Sequence, residues 1–125
     1  MAKYGDCAFM AAKDASKCGD PISAWRRAAA SVFAESLSAR VKGCPKSAFL
    51  GLCEEGLVVG VKPGKYTRSV DNKNYALKAV ALLRQNGELA DDPARLWKEV
   101  IGNIHKVENS QMDVVLTLWR SKQIA

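Results

Sequence analysis

The chemistry open to this 125-residue chain rests on four cysteines, one histidine, two adjacent carboxylate pairs and a cluster of lysines and arginines. The cysteines are Cys7, Cys18, Cys44 and Cys53. None forms a C-x₂-C pair and their spacings match no common zinc site, so neither metal nor cofactor is expected. An interval of three helical turns places Cys7 and Cys18 on one face, the pattern of buried apolar thiols. Cys44 differs. It precedes Pro45 at an expected helix start and lies between Lys42 and Lys46, and both features favour a thiolate. It is the candidate reactive thiol, and His105, in the loop-like "IGNIHKVENS", is the one imidazole that could serve it. Nothing in the sequence brings the two together, so no catalytic residue is assigned. Glu54 and Glu55 sit at a helix end and are expected to point in different directions. Asp91-Asp92 precedes Pro93, where negative charge suits a helix start. Neither G-x-x-x-x-G-K-[ST] nor G-x-G-x-x-G occurs. These residues lean away from an enzyme.

Charge is more informative. The net charge is +6, and between Arg40 and Lys78 there are eight Lys or Arg against three acids. Five of the six net positive charges therefore fall in the middle third. Its densest part is "KPGKYTRS" with Lys73 just beyond, which makes Lys62, Lys65, Tyr66, Arg68 and Lys73 the candidate nucleic-acid or anion-binding residues.

The elements that must position these groups are helices. Apolar residues recur at helical spacing over 4–17, and Asp20-Pro21 opens a second helix to about 38. Pro45 opens a third with Phe49, Leu50, Cys53 and Leu57 inward, and Gly56 stops it. Gly51 in its middle costs roughly 1 kcal/mol relative to alanine, which suggests that a backbone or a ligand approaches there. Val58, Val59 and Val61 are strand formers, and Pro63-Gly64 suits a type II turn, so one short hairpin over 57–68 is the most β-structure expected. Further helices follow over about 70–86, from Pro93 with Ile101 and Ile104 inward, and from Ser110. Ser110 and Asp113 resemble a capping box. The last helix carries Met112, Val115, Leu116 and Trp119, widened by Val114 and Leu118. Such a face is either deeply buried or shared with a second copy, so a homodimer through this helix is one expectation. The fold expected is a mainly α, compact bundle of about six helices forming one domain over 1–125. The tryptophans Trp25, Trp97 and Trp119 fit its core. No apolar run approaches the roughly 20 residues of a membrane span, and the N-terminal stretch with Asp6 and Asp14 is unlike an export signal, so the cytoplasm is expected and disulfides are not.

Residues 43–69 resemble part of a winged helix-turn-helix domain: "PKSAFLGLCEEGLV" is like a recognition helix and "KPGKYTRS" like a wing. Glu54 and Glu55, however, fall where phosphates would lie. The longer pattern "GCPKSAFLGLCEEGL…GKYTRS…NKNYALKAVALL" resembles a small family of uncharacterised bacterial proteins with no assigned function. The resemblance implies a compact bacterial protein and marks Gly43 to Tyr75 as the segment to inspect first. Three roles follow as expectations. One is a non-catalytic binding or interaction module, homodimeric if the last helix is shared. Another is a nucleic-acid binder using the basic 62–73 loop. The third is a small-molecule binder or enzyme with a pocket near Cys44, Gly51 and Tyr66.

Overall fold

The computed structural model describes residues 3–125. Helix α1 (Lys3–Cys18) buries Cys7, Ala8, Ala11, Ala12 and Ala15, so its small side chains let neighbouring helices approach closely. Cys18 is the last helical residue and is exposed, outside the stripe expected to hold it with Cys7. Asp20 caps α2 (Pro21–Val32) by accepting Ser23 N at 3.2 Å, with Pro21 in the first turn.

The helix expected to run to 38 instead breaks after Val32 and resumes as one turn, α3 (Leu37–Arg40). Two groups stabilise the break. Ser36 caps α3 by accepting Ala39 N at 3.2 Å. Arg40 donates back to the carbonyls of Phe33 and Ala34, satisfying acceptors that the end of α2 leaves open.

Helices α4 (Gly43–Glu54) and α5 (Val70–Gln85) pack extensively on each other. A 3₁₀ turn over Gly87–Asp91 leads to α6 (Pro93–Ile101), capped by Asp92. Gly102 at φ +59° ends α6, so Ile104 is 60% exposed rather than inward. In α7 (Gln111–Arg120) the expected capping box does not form. Ser110 makes no cap bond, Glu108 accepts Met112 N at 3.0 Å instead, and Asp113 accepts Gly5 N of α1 at 2.9 Å. Among the described residues there are thus six helices of nine residues or more, and the fold is mainly α.

The broad face of α7 is buried within the protomer. Met112, Val115 and Leu116 are at most 3% exposed, under α1, α4, α5 and α6, and Trp119 is half-buried. Burial accounts for the width of that stripe, so a dimer through these residues loses its motive. The hairpin over 57–68 does not form either. Val58 instead bridges Ile124 antiparallel, Val59 N donates to Gln123 O at 2.8 Å, and Ala125 N donates to Leu57 O at 2.9 Å. With the backbone of 57–59 taken by the C-terminal segment, residues 61–69 run as a loop.

Candidate functional site

The last residue of α4 organises this loop. Glu54 Oε1 accepts Tyr66 N at 2.7 Å and Thr67 N at 3.1 Å, and its main-chain carbonyl accepts Gly64 N at 3.2 Å. Its other carboxylate oxygen, Oε2, lies 2.6 Å from Lys73 Nζ on α5. Lys73 also lies 2.6 Å from Glu55 Oε2, so the two carboxylates expected to diverge converge on one ammonium. This sharing works because Lys73 has three donors and sits between the helix end and the loop. The Lys73 ammonium, with the two amide donors, holds the Glu54 carboxyl far below the usual range, at about 2. The glutamates in turn raise the Lys73 ammonium above its ordinary value.

Close packing of α4 on α5 makes this geometry possible. A Cβ at position 51 would sit 2.7 Å from both Cα and Cβ of Lys73. The approach that Gly51 signals is therefore the backbone of α5, which fills the space where a ligand pocket was expected. Gly64 serves a comparable purpose. It has no positive φ, contrary to a type II turn, but its hydrogen faces Tyr66, whose ring and hydroxyl would lie 2.9 Å from a Cβ. The Tyr66 hydroxyl donates to Lys62 O at 2.7 Å and closes the loop on itself.

The structure therefore divides the five basic-loop candidates. Lys62, Lys65 and Arg68 are exposed, and among the described residues none of them makes an ion pair. Tyr66 is half-buried and shapes the loop; Lys73 is engaged by the two glutamates. A polar cleft of about 520 Å³ lies between loop and α5, with Lys65, Arg68, Lys73 and Glu55 in its walls. Cys44 is half-buried in the first turn of α4 and lines neither this cleft nor the smaller one at Tyr66. His105 is exposed in the loop after α6, and no hydrogen bond joins it to Cys44. Burial pushes the Cys7 thiol up to about 12 and the Cys53 thiol higher, so both are inert core groups. Among the described residues, no three His, Cys, Asp or Glu side chains gather as a metal-holding group.

Sequence reasoning missed Glu54 as the organiser, together with a polar chain behind it. Gln111, fully buried, accepts Asn109 N at 2.6 Å and donates to Asn72 at 3.0 Å, and Asn72 donates to Ser69 at 2.9 Å. That chain ties the end of the loop to the start of α7. Seven of the twelve residues of α4 are buried, including Phe49, Leu50, Leu52 and Cys53, and of the rest only Gly43 is exposed, so α4 presents little surface to a DNA groove. With no paired wing beside it, the winged-helix likeness is confined to the sequence.

Fold and loop together define a small, mainly α-helical protein with an exposed, internally braced basic loop. The chain belongs to the family of unknown function DUF6979, whose model matches residues 1–125. Comparisons with curated proteins and with solved structures found no match. No helix among the described residues is long and apolar enough to cross a membrane.

Proposed function

We propose that the protein is a non-catalytic binding module whose working surface is the 61–69 loop, and that it engages the phosphate backbone of nucleic acid. The observation that carries the reading is the bracing by Glu54: three cations, Lys62, Lys65 and Arg68, project from a backbone held at both Tyr66 and Thr67. A loop ordered before binding loses less entropy on association than a flexible lysine-rich tail. The objection that Glu54 and Glu55 would repel phosphate is weakened because both rest on Lys73. Base reading is not part of the proposal, which rests on phosphate contacts that position a protein without carrying sequence information.

Fluorescence anisotropy with a labelled duplex across a salt series tests it. Three phosphate contacts predict a log–log slope of about −2.7, or about 40-fold weaker binding from about 50 to 200 mM salt. Each of Lys62→Ala, Lys65→Ala and Arg68→Ala should reduce the slope by about 1. Glu54→Gln and Glu54→Ala give the same net charge but keep and remove, respectively, an acceptor for the loop amides. The alanine variant should bind more weakly than the glutamine variant. Equal binding by the two would make the interaction one of charge alone, and no binding at low salt would remove the proposal.

A further inference from the structure

A second concavity shares no lining residue with the basic cleft. It lies between α6 and α7 and has a volume of about 470 Å³, in the range of small-molecule sites. Trp97, Met112 and Leu116, each less than a tenth exposed, form its apolar floor, with Pro93 and Ala94 at the start of α6. Trp97 is held on two sides. Its Nε1 donates to Lys106 O at 2.9 Å, and its ring meets Tyr75 edge to face at 5.3 Å. The first contact ties the loop carrying Glu108 to α6, so the walls are set before any ligand arrives.

The polar groups are segregated. Glu108 and Asp113 lie at the N-terminal end of α7 and Arg120 at its C-terminal end, about 10 Å along the helix from Asp113. Arg120 is already committed, donating to Ala90 O. The carboxylates are bonded to main-chain amides. Glu108 accepts Met112 N, and Asp113 accepts Gly5 N, but among the described residues neither makes an ion pair. Burial raises the Asp113 carboxyl above its ordinary value and the charges of Glu108 and Asp6 add to this, while the Gly5 amide and the positive charge of the chain's N-terminus oppose it. An apolar trough with two like charges at one end is complementary to a molecule with an apolar body and a cationic head.

We propose that this groove binds a small organic ammonium, with an apolar or aromatic body against Trp97, Met112 and Leu116 and the ammonium at Glu108 and Asp113. This site does not depend on the reading of the basic loop. The test is an NMR titration of the ¹⁵N-labelled protein with 2-phenylethylammonium, its neutral isostere 2-phenylethanol, and 3-phenylpropionate. The ammonium should shift the amides of Trp97, Asp113 and Leu116 saturably and bind about tenfold more tightly than the alcohol, the scale of a charge-assisted hydrogen bond. Asp113→Asn and Glu108→Gln each keep a backbone-accepting oxygen, so the fold is retained. Each should weaken the ammonium severalfold and leave the alcohol unchanged. Ala94→Trp, at an exposed position of α6, should fill the groove and abolish both. The proposal is overturned if the alcohol binds as well as the ammonium, or if 3-phenylpropionate binds best, which would hand the site to Arg120. It is also overturned if millimolar ammonium gives no saturable shift at these amides, or if the free protein self-associates and Ala94→Trp prevents it, which would make a second copy the occupant.

Discussion

Replacing Glu54 with glutamine isolates the charge that braces the basic loop. In the wild-type protein a carboxylate that is one-tenth exposed meets an ammonium that is one-fifth exposed at 2.6 Å and accepts two loop amides. A carboxyl held at about 2, against 4.5 in the unfolded chain, is stabilised on ionisation by at most about 3 kcal/mol. Solvent screening lowers that ceiling, and glutamine still offers an oxygen to the amides. The expected loss at neutral pH is therefore about 1–2 kcal/mol, or a Tm lower by about 5 °C. The sign of the pH dependence follows from the depressed pKa. The stabilisation is fully present above about 4.5 and is lost as the pH falls toward about 2. Urea unfolding of both proteins across that window should show the difference between them shrinking with acidification. Asp14 and Asp20, whose carboxyls are also lowered by their hydrogen bonds, are common to both proteins and cancel from the difference. Amide exchange at Tyr66 and Thr67 should quicken in the variant. A stability difference that stays constant from neutral pH to about 2, or unchanged exchange at those two amides, would refute the role given to Glu54.

Two other perturbations address the packing that places the loop. Gly51→Ala gains about 1 kcal/mol of helix propensity but drives a methyl to 2.7 Å from Lys73 Cα, a backbone atom that cannot swing aside. A net loss of about 1–2 kcal/mol in urea unfolding is expected, while Gly43→Ala, with no atom within 4 Å of its new Cβ, should cost nothing; equal stability of the two variants would contradict the close approach of α4 and α5. Ending the chain after Ser121 removes the bonds from Val59 N to Gln123 O and from Ala125 N to Leu57 O. It should cost about 1–3 kcal/mol and speed amide exchange at Val59, and unchanged exchange there would show that the pairing does not hold 57–59.

Much of the fold was legible because its helices announce themselves locally. The alanine stripe of α1, the Asp-Pro starts of α2 and α6 and the glycine after α4 are read within a few residues of one another, and each lies where expected. The features that escaped are those settled by a partner distant in sequence. The stretch "LVVGV" has strand-forming residues, but its partner is the C-terminal segment, whose Ile124 lies 66 residues beyond Val58. Ser110 and Asp113 have the spacing of a cap. Asp113 nevertheless turns to Gly5, where the free amides at the start of α1 offer a donor from 108 residues away. In α7 the width of the apolar face was visible, but which surface covers it was not.

The candidate site divides along the same line. Lys62, Lys65 and Arg68 were identified by local charge density, and charge density is indifferent to what each cation touches. It therefore grouped Lys73 with them, although Lys73 is held by two carboxylates and acts inside the protein. The two glutamates were misjudged for the matching reason: adjacency on a helix argues that they diverge, and only the arrival of α5 supplies an ammonium both can reach. Gly51 was the one local clue to that arrival, because a glycine inside a helix is costly unless something occupies the space a side chain would fill. What it signals is the backbone that carries Lys73, so the residue marking a close approach and the residues bracing the loop belong to one packing event. The basic loop and its acidic brace are therefore interdependent. The cations can stand in a fixed arrangement because Glu54 holds their backbone, and Glu54 remains ionised there because Lys73 reaches it across the contact that Gly51 permits.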